Sequence, residues 1–319
     1  MLTAFAIQNG SLHRVTEDLG KADWIDLLDP PPDEAARVAR VTGLAVPTEA
    51  DINEIESSSR LAMRDNALYL SLPLVSRPET DPRSVSIGFV LTPDRLITVR
   101  FAPSRLFDRF MEQPPGPLNG GPHVMVALLE AIVDRQADAL EQVKAELETI
   151  SHQIFCADMA AASGRKREDA LLRSTLVSLG RIGDLVSHVR ESQVSASRIV
   201  PYIETTASEW LPKELKPRLR TLRRDIASLN DFDTHLSDKL QFLLDATLGF
   251  INVAQNNVMK VLTVVSVAGV PPVLIAGIYG MNFKIMPELG WAWGYPYSLA
   301  LMALSTIIPL LIFRWRGWL

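Results

Sequence analysis

The sequence predicts an α+β domain, a mixed sheet with flanking helices, followed by long helices and a C-terminal pair of membrane helices. Three observations lead to this fold class. Short strand-like segments separated by turns occupy residues 1–121, apolar residues at steps of three and four dominate from there to residue 257, and two long uncharged apolar segments follow. These segments cover residues 261–282 and 295–313. Each is close to the roughly 20 residues that a helix needs to cross a hydrocarbon core.

We therefore divide the chain into six parts. They are a cytoplasmic α/β domain at 1–121, long cytoplasmic helices at 122–257, a first transmembrane helix at 258–282, an outer loop at 283–294, a second transmembrane helix at 295–314 and a basic cytoplasmic tail at 315–319.

Composition and motifs exclude several functional classes. The formal net charge is −5, which disfavours nucleic-acid binding. The single Cys156 excludes a disulfide framework. The sequence contains no Walker-type lysine loop and no nucleophile–base motif, so we expect neither nucleotide binding nor enzymatic activity. The segment MLTAFAIQNG lacks the features of a signal peptide, and we expect the long N-terminal part to be cytoplasmic.

The first part of the chain alternates short apolar segments with turns. A helix is predicted from Asp33, where acidic residues in the first turn suit the helix dipole. The last two predicted strands form a hairpin. Strands are predicted at residues 5–7, 24–28, 67–72, 84–91 and 95–100.

Two helices are predicted after this sheet. Residues 113–122 are rich in proline and glycine and are predicted to be neither helix nor central strand. A first helix is predicted over residues 123–162. A second runs from about residue 167 to residue 199, and Pro201 is expected to end it.

A third helix is predicted to continue into the membrane. It starts near Lys213, and no proline lies between Pro217 and Pro271. Its roughly 65 residues would measure about 100 Å, and we expect a helix of that length to pack against copies of itself. The alternative is a break near Gly249 that gives two shorter helices.

The first apolar segment has a polar face, which we call the pore stripe. Its residues recur at alternating steps of three and four, which places them on one side of a helix. Other sides hold Leu262, Val265, Leu274 and Ile275, which suit lipid or a second helix. Several copies packed with the stripe inward would line a narrow, uncharged path for water and ions. The stripe consists of Asn256, Met259, Thr263, Ser266, Val270, Val273 and Gly277.

Periodicity alone leaves a second interpretation open. Hydroxyl groups in membrane helices often donate to carbonyls of their own helix, and Thr263 and Ser266 could do so without lining a pore. Pro271 and Pro272 are expected to bend the helix, which a membrane span tolerates where neighbours satisfy the freed carbonyls.

The end of this segment resembles the CorA family of divalent-cation channels. The family signature is Gly-Met-Asn at the outer end of the first of two C-terminal membrane helices, and the chain has Gly280, Met281 and Asn282 within GIYGMNF. The similarity continues through the loop residues MPEL, the segment WGYP and the basic, aromatic tail. Upstream it includes LLD and NVMKVLT. The resemblance is close over the C-terminal quarter and architectural in the N-terminal half.

The resemblance implies a homopentameric channel with a funnel-shaped cytoplasmic domain. Asn282 side chains and Gly280 carbonyls would form an outer filter that holds a hydrated Mg²⁺, an ion that sheds its water reluctantly. A neutral ring binds weakly enough to release the ion. Mg²⁺ would enter passively along the membrane potential, with Co²⁺ and Ni²⁺ as surrogate substrates. The expected partners are copies of the chain, the lipid bilayer and divalent ions, with no resident cofactor.

Two residues of the pore stripe, together with Leu262, match the family's gate. Met259, Leu262 and Val270 correspond to a hydrophobic constriction that closes by dewetting. Asn256 corresponds to a polar ring just below it.

Charged and aromatic residues predict the orientation of the hairpin. Lys260 precedes the first span, and Arg314 and Arg316 follow the second, so basic residues lie on one side. Trp291 and Trp293 mark the opposite interface. We expect both termini on the cytoplasmic side of a bacterial inner (plasma) membrane, with the outer loop outside.

The outer loop departs from the family pattern at Lys284, where the magnesium branch commonly has an acidic residue. Glu288 is retained, so the loop is near neutral. A ring of lysines would lower the cation concentration at the pore mouth, unless Lys284 pairs with Glu288. The zinc branch usually has a glycine-rich loop in place of MPEL, which this chain lacks.

The family is also regulated by Mg²⁺ bound between cytoplasmic subunits. Acidic side chains at such an interface repel one another when the ion leaves. This chain has Thr221 where the family's helix aspartate is expected. Candidate regulatory ligands are Asp225, Asp231, Asp233 and Asp238 on the long helix, and Glu79 and Asp81 in the N-terminal domain.

Three functions follow from the sequence. The first is a pentameric channel for Mg²⁺. The second is a Zn²⁺ transporter of the same superfamily, with or without coupling to protons. The third is a membrane-anchored helical scaffold or sensor without conduction. The polar stripe and the Gly-Met-Asn segment favour conduction.

Overall fold

The computed structural model describes residues 1–16, 18–54, 61–76, 83–155, 165–282 and 286–318, with side chains in these ranges except at 76, 165–169, 288 and 289. The chain forms two compact units. The first comprises Met1–Ala162 and Arg173–Leu244, and the second comprises Ser163–Leu172 and Asp245–Leu319.

The described residues of the first unit form one mixed sheet of seven strands, in the order β2-β1-β3-β7-β6-β5-β4. β3 and β7 are parallel, and the other neighbouring pairs are antiparallel. The predicted hairpin is β6–β7, in which Leu91 lies opposite Leu96. The strands are β1 (Leu2–Gln8), β2 (Ser11–Val15), β3 (Trp24–Leu28), β4 (Leu61–Arg64), β5 (Ala67–Ser76), β6 (Arg83–Leu91) and β7 (Leu96–Arg100).

The sequence did not indicate β2 and β4, the two edge strands. Both are short, and none of their residues is fully buried. An edge strand pairs on one side only and needs little apolar content, so it gives a weak sequence pattern.

Seven α-helices are present in the described ranges. Short 3₁₀ turns lie at Leu19–Lys21 and Pro287–Gly290. The α-helices are α1 (Pro32–Thr42), α2 (Glu49–Asn53), α3 (Arg105–Glu112), α4 (Gly121–Phe155), α5 (Arg165–Thr206), α6 (Leu215–Tyr279) and α7 (Gly294–Trp315).

The sheet has an apolar core on each face. Side chains alternate along a strand, so β5 points Leu68, Leu70 and Leu72 towards the core that includes α3 and the long helices α4, α5 and α6. The opposite face packs against α1 through Val38 and against α2 through Ile52.

A buried polar network joins the parallel strands β3 and β7. Trp24 Nε1 donates to Thr98 Oγ1 at 3.1 Å, and Thr98 Oγ1 donates to Asp26 Oδ1 at 2.7 Å. Arg100 donates to Asp26 Oδ2 from Nε at 3.1 Å and from Nη2 at 2.9 Å. The guanidinium also lies over the Phe107 ring, 5.0 Å from its centre. The network therefore fixes the alignment of the two parallel strands.

Two expectations about helix ends were wrong. Pro201 does not end the second helix, because α5 continues to Thr206. An internal proline costs about 3 kcal/mol, but buried Ile and Val side chains each stabilise by about 1.5–3 kcal/mol. Ile199, Val200 and Ile203 are all buried around this proline.

The first residues of α4 were also expected outside the helix. Gly121 and Pro122 form its first turn, where proline sacrifices no hydrogen bond because the first N–H groups have no partner in the helix. A Cβ on Gly121 would lie 2.5 Å from both Arg95 Cα and Leu96 N. Glycine therefore lets the start of α4 lie directly on the start of β7.

The long helix α6 is continuous, as predicted. It has 65 residues, and Gly249 lies inside it, so the alternative of a break there is wrong. Pro271 and Pro272 are also within the helix. In the second unit, the C-terminal part of α6 and the 22 residues of α7 are long and apolar enough to cross a membrane.

Candidate functional site: the exposed face of the first apolar helix

The pore stripe forms one exposed face of α6. Met259 is 59% exposed, Val270 is 62% exposed and Val273 is 72% exposed. Asn256, Ser266 and Gly277 are also exposed, and Thr263 is half-buried. An apolar side chain exposed to this degree suits lipid or another protein surface rather than water.

The opposite side of α6 is the least exposed side in this segment. Val264 and Ala268, one turn apart, are buried, and Ile275 on the same side is half-buried. On α7, Ser298 is buried and its hydroxyl donates to the Tyr295 carbonyl at 2.9 Å. Residues of the second unit therefore cover this side of α6, and they leave the pore stripe uncovered.

Leu262 was expected on a side away from the stripe, and the helix geometry corrects this. Leu262 lies three residues after Met259 and four before Ser266 in an unbroken helix, so its side chain neighbours both. It is 58% exposed. The two apolar side chains Met259 and Leu262 therefore form adjacent parts of one exposed surface.

One hydroxyl of the stripe is bonded to its own helix. Thr263 Oγ1 donates to the Met259 carbonyl at 2.8 Å, as the alternative interpretation of the periodicity proposed. Its proton is committed, and only its lone pairs and methyl group are available to a neighbour.

The Gly-Met-Asn segment begins directly where α6 ends. The Gly280 N–H donates to the Ala276 carbonyl at 2.9 Å, and the Met281 N–H donates to the Ile278 carbonyl at 3.2 Å. A Cβ on Gly280 would lie 3.1 Å from the Ala276 oxygen, so a larger residue would crowd this turn. Gly280, Met281 and Asn282 are exposed.

A groove runs along this end of the helix. Its volume is about 730 Å³, and it extends from Val265 to Met281. It includes four stripe residues, which are Ser266, Val270, Val273 and Gly277. In the outer loop, Lys284 lies outside the described residues, and the Glu288 side chain is also outside them.

The comparison with known proteins decides the family. The family model described as "CorA-like Mg2+ transporter protein" matches residues 20–315. The chain is 33% identical to the magnesium transport protein CorA of Escherichia coli (strain K12), with 100% of both chains covered. It is 32% identical to the magnesium transport protein CorA of Sodalis glossinidius, also over 100% of both chains.

The chain belongs to the CorA-like Mg²⁺ transporter family.

Solved structures share the fold of this CorA-family chain. The complete structure of the CorA magnesium transporter from Methanocaldococcus jannaschii matches with a TM-score of 0.74 at 20% identity, covering 100% of this chain and 99% of the other. The full-length CmaX protein matches with a TM-score of 0.66 at 16% identity, covering 98% and 96%. The predicted fold class, with its mixed sheet, long helices and two C-terminal apolar helices, is confirmed.

The cytoplasmic carboxylates of this CorA-family chain have different environments. Asp225, Asp231 and Asp238 are exposed on α6. Glu79 and Asp81 lie outside the described residues. Within the described ranges, no three His, Cys, Asp or Glu side chains of one chain are arranged to hold a metal ion.

Asp233 is not on the solvated face with the other candidates. It is buried, and its Oδ2 accepts from Arg190 Nε at 2.6 Å. Burial raises the pKa of Asp233, and the Arg190 guanidinium partly opposes this increase. The sequence signal for this burial was the position of Asp233 in the apolar repeat of α6, between Ile226 and Leu236.

An acidic group on α4 and α6 was not predicted as a unit. Burial raises the pKa of the Asp134 carboxyl above its ordinary value, and three nearby carboxylates raise it further: Glu130, Asp138 and Asp225. Glu130 is paired with Arg218, so the negative charge that can attract cations comes from Asp134, Asp138 and Asp225. The candidate Asp225 therefore belongs to a cluster with residues of α4.

Proposed function

We propose that the chain is one subunit of a homopentameric channel through which Mg²⁺ enters the cell passively. Its family transports divalent cations. The observation that carries the channel proposal is the pore stripe. This exposed face lies on the side of α6 opposite the buried residues Val264 and Ala268, and it leads to Asn282. Five stripes facing one another would enclose a path without fixed charge.

The membrane potential supplies the driving force in this proposal. Moving one elementary charge across 100 mV is worth about 2.3 kcal/mol, so a divalent ion gains about twice that. No nucleotide is needed. Both termini would lie in the cytoplasm, and the outer loop would lie outside the cell membrane.

The selectivity filter would consist of Gly280, Met281 and Asn282. The turn at Gly280 places Asn282 beyond the last helical residue, Tyr279, where its amide is exposed. Mg²⁺ keeps its first water shell unless strong ligands replace it. Five neutral amides therefore recognise the hydrated ion without dehydrating it. Co²⁺ and Ni²⁺, as hydrated divalent ions, would enter the same way.

The gate would be the apolar surface at the cytoplasmic end of the stripe. Met259 and Leu262 are neighbours and exposed, and Val270 is exposed two turns further along. Rings of such side chains, when narrow, exclude water and so block a hydrated ion. Asn256 would form a polar ring on the cytoplasmic side of this constriction.

Regulation by Mg²⁺ would act through exposed carboxylates of the cytoplasmic part. Asp225, Asp231 and Asp238 are exposed and can face a neighbouring subunit. Asp225 is the strongest candidate because it adds to the negative charge around Asp134. A bound Mg²⁺ would remove this repulsion and stabilise the closed state. Asp233 is not included, because Arg190 already neutralises it.

The decisive test is ion uptake into liposomes that contain the purified protein, under an inside-negative potential. Wild type should take up Mg²⁺, and Asn282→Ala should lose most of this uptake. The matched control is Asn257→Ala, which removes an exposed asparagine seven residues before Val264, on the side away from the stripe.

Three results would contradict this proposal. Uptake of Zn²⁺ in preference to Mg²⁺ would favour the zinc transporter. Equal uptake in wild type and Asn282→Ala would exclude the filter. No uptake of either ion by correctly folded protein would favour the scaffold.

A further inference from the structure

Polar side chains of α4, α5 and α6 form two hydrogen-bonded pairs between these helices, and all of them except the half-exposed Arg190 are buried. Gln136 Nε2 on α4 donates to Ser192 Oγ on α5 at 2.7 Å. Two residues earlier on α5, Arg190 Nε donates to Asp233 Oδ2 on α6 at 2.6 Å. Gln193, beside Ser192, is completely buried. We call these five residues the polar node.

Next to the node, the buried side chains of these helices are mostly apolar. No more than 1% of the surface of each of these side chains is exposed: Val189 and Ala196 on α5, Leu140 on α4, and Ile226 and Leu236 on α6. Apolar contacts are non-directional. If α6 moved along its axis by one turn, one apolar side chain would replace another. The apolar layers would therefore discriminate only weakly between the native alignment and the shifted one.

The polar node does discriminate, because its bonds join particular atoms. Arg190 binds Asp233 through Nε and Ser237 Oγ through Nη2, at 2.6 and 3.0 Å. These two acceptors are four residues apart and span one turn of α6. A shift by one turn would leave the buried Asp233 carboxylate facing an apolar layer, which is strongly unfavourable.

The node is not explained by stability. Within the described chain, Asp233 Oδ1, Gln136 Oε1 and both polar atoms of the Gln193 amide are buried without a hydrogen-bond partner. Each such group costs free energy relative to an apolar side chain. In helical cores, polar residues of this kind are known to specify alignment at the expense of stability.

We propose that the polar node fixes the axial register of α6 against α4 and α5. The node allows one alignment, and the apolar layers then pack around it.

Disulfide cross-linking of the full-length protein reports the register directly. A Cβ on Gly183 would lie 3.5 Å from Leu240 Cδ2, so these two positions face each other in the native alignment, and the pair Gly183→Cys and Leu240→Cys reports that alignment. Pairing Gly183→Cys with Leu236→Cys or Leu244→Cys reports a shift by one turn in either direction. Cys156→Ala removes the native thiol, and cross-links between subunits are distinguished by their mass.

The apolar-node variant combines Gln136→Leu, Arg190→Leu, Ser192→Ala, Gln193→Leu and Asp233→Leu. In the wild-type node, only the native pair should cross-link. In the apolar-node variant, the shifted pairs should account for roughly half of the cross-linked product, because two alignments of similar stability would coexist. The variant should still fold, since the buried Asp233 carboxylate is removed together with its partner Arg190 and no unpaired charge is left in the core.

Two further variants make the test specific. Arg190→Gln with Asp233→Asn keeps hydrogen bonding without charge and should retain the native pair alone. Asp231→Leu changes an exposed carboxylate near the node and should also leave the register unchanged. If the combined variant does not fold, Arg190→Leu with Asp233→Leu replaces it and should show the same shift.

The proposal is wrong if the apolar variants cross-link only through the native pair. This readout requires no ion transport. A failure of Mg²⁺ uptake in the wild type would therefore refute the proposed function without affecting the conclusion about register.

Discussion

Replacing Asp26 by alanine should destabilise the sheet domain because it leaves Arg100 buried without its counter-charge. The two side chains are 2% and 4% exposed. Arg100 donates to the carboxylate from both Nε and Nη2, and Thr98 donates to it as well. The Asp108 carboxylate, 3.8 Å from Arg100 Nη2, is exposed and cannot substitute for these contacts.

The magnitude follows from the burial. Removing one partner of a buried, hydrogen-bonded ion pair costs about 3–5 kcal/mol. A change of 1 kcal/mol lowers the thermal midpoint by about 2–4 °C in a domain of 150–250 residues. We therefore expect the midpoint of Asp26→Ala to fall by roughly 10 °C.

The assay is thermal unfolding of the full-length protein in detergent, followed by circular dichroism. Asp94→Asn, at an exposed turn, serves as the control and should unfold like the wild type. The double variant Asp26→Leu with Arg100→Met should be more stable than Asp26→Ala, because no unpaired charge remains. A loss of less than about 1 kcal/mol in Asp26→Ala would refute this reasoning.

Three further outcomes test other parts of the structure. Gly121→Ala should destabilise the fold by about 1–3 kcal/mol, since its Cβ would press on Leu96 N. Gly180→Ala, whose Cβ would lie in open space, should be neutral or stabilising. Equal thermal midpoints for the two variants would contradict the close approach of α4 to β7. The raised pKa of Asp134 means that its charged form destabilises the folded state, so stability falls as pH rises above the ordinary value of 3.8. Asp134→Asn should accordingly raise the thermal midpoint above that of the wild type at neutral pH and leave it equal to the wild-type value at about pH 3. Equal midpoints of variant and wild type at both pH values would exclude this effect. Lys284→Glu should increase the initial rate of Mg²⁺ uptake at low ionic strength and lose this advantage in high salt; an equal gain in both would rule out an electrostatic cause.

The long helix α6 was predictable because its sequence satisfies every local requirement at once. Apolar residues keep helical spacing from Leu222 onward, and no proline interrupts the stretch between Pro217 and Pro271. Gly249 was the one residue that suggested a break, but a single glycine costs a helix only about 1 kcal/mol. The hydrogen bonds and side-chain contacts on both sides outweigh that cost.

Other features depend on contacts that are distant in sequence. Pro201 reads as a helix end until the burial of its neighbours is known. The position of Asp233 in the apolar repeat of α6 indicates burial, but its partner Arg190 is known only from the packing of α5 on α6. The signature residues, such as Asn282, were visible in the sequence, but only the structure shows that the stripe leading to them lies opposite the buried Val264.

Substituted-cysteine labelling tests most directly whether this stripe lines the ion path. In a Cys156→Ser background, Val270→Cys and Val273→Cys place thiols on the stripe, while Val261→Cys places one on the same side as Val264. These valines are 62%, 72% and 51% exposed in one subunit. A charged, membrane-impermeant thiol reagent should block Mg²⁺ uptake through Val270→Cys and Val273→Cys and leave uptake through Val261→Cys unchanged. If the reagent blocked only Val261→Cys, or none of the three variants, the claim that the pore stripe lines the ion path would be wrong.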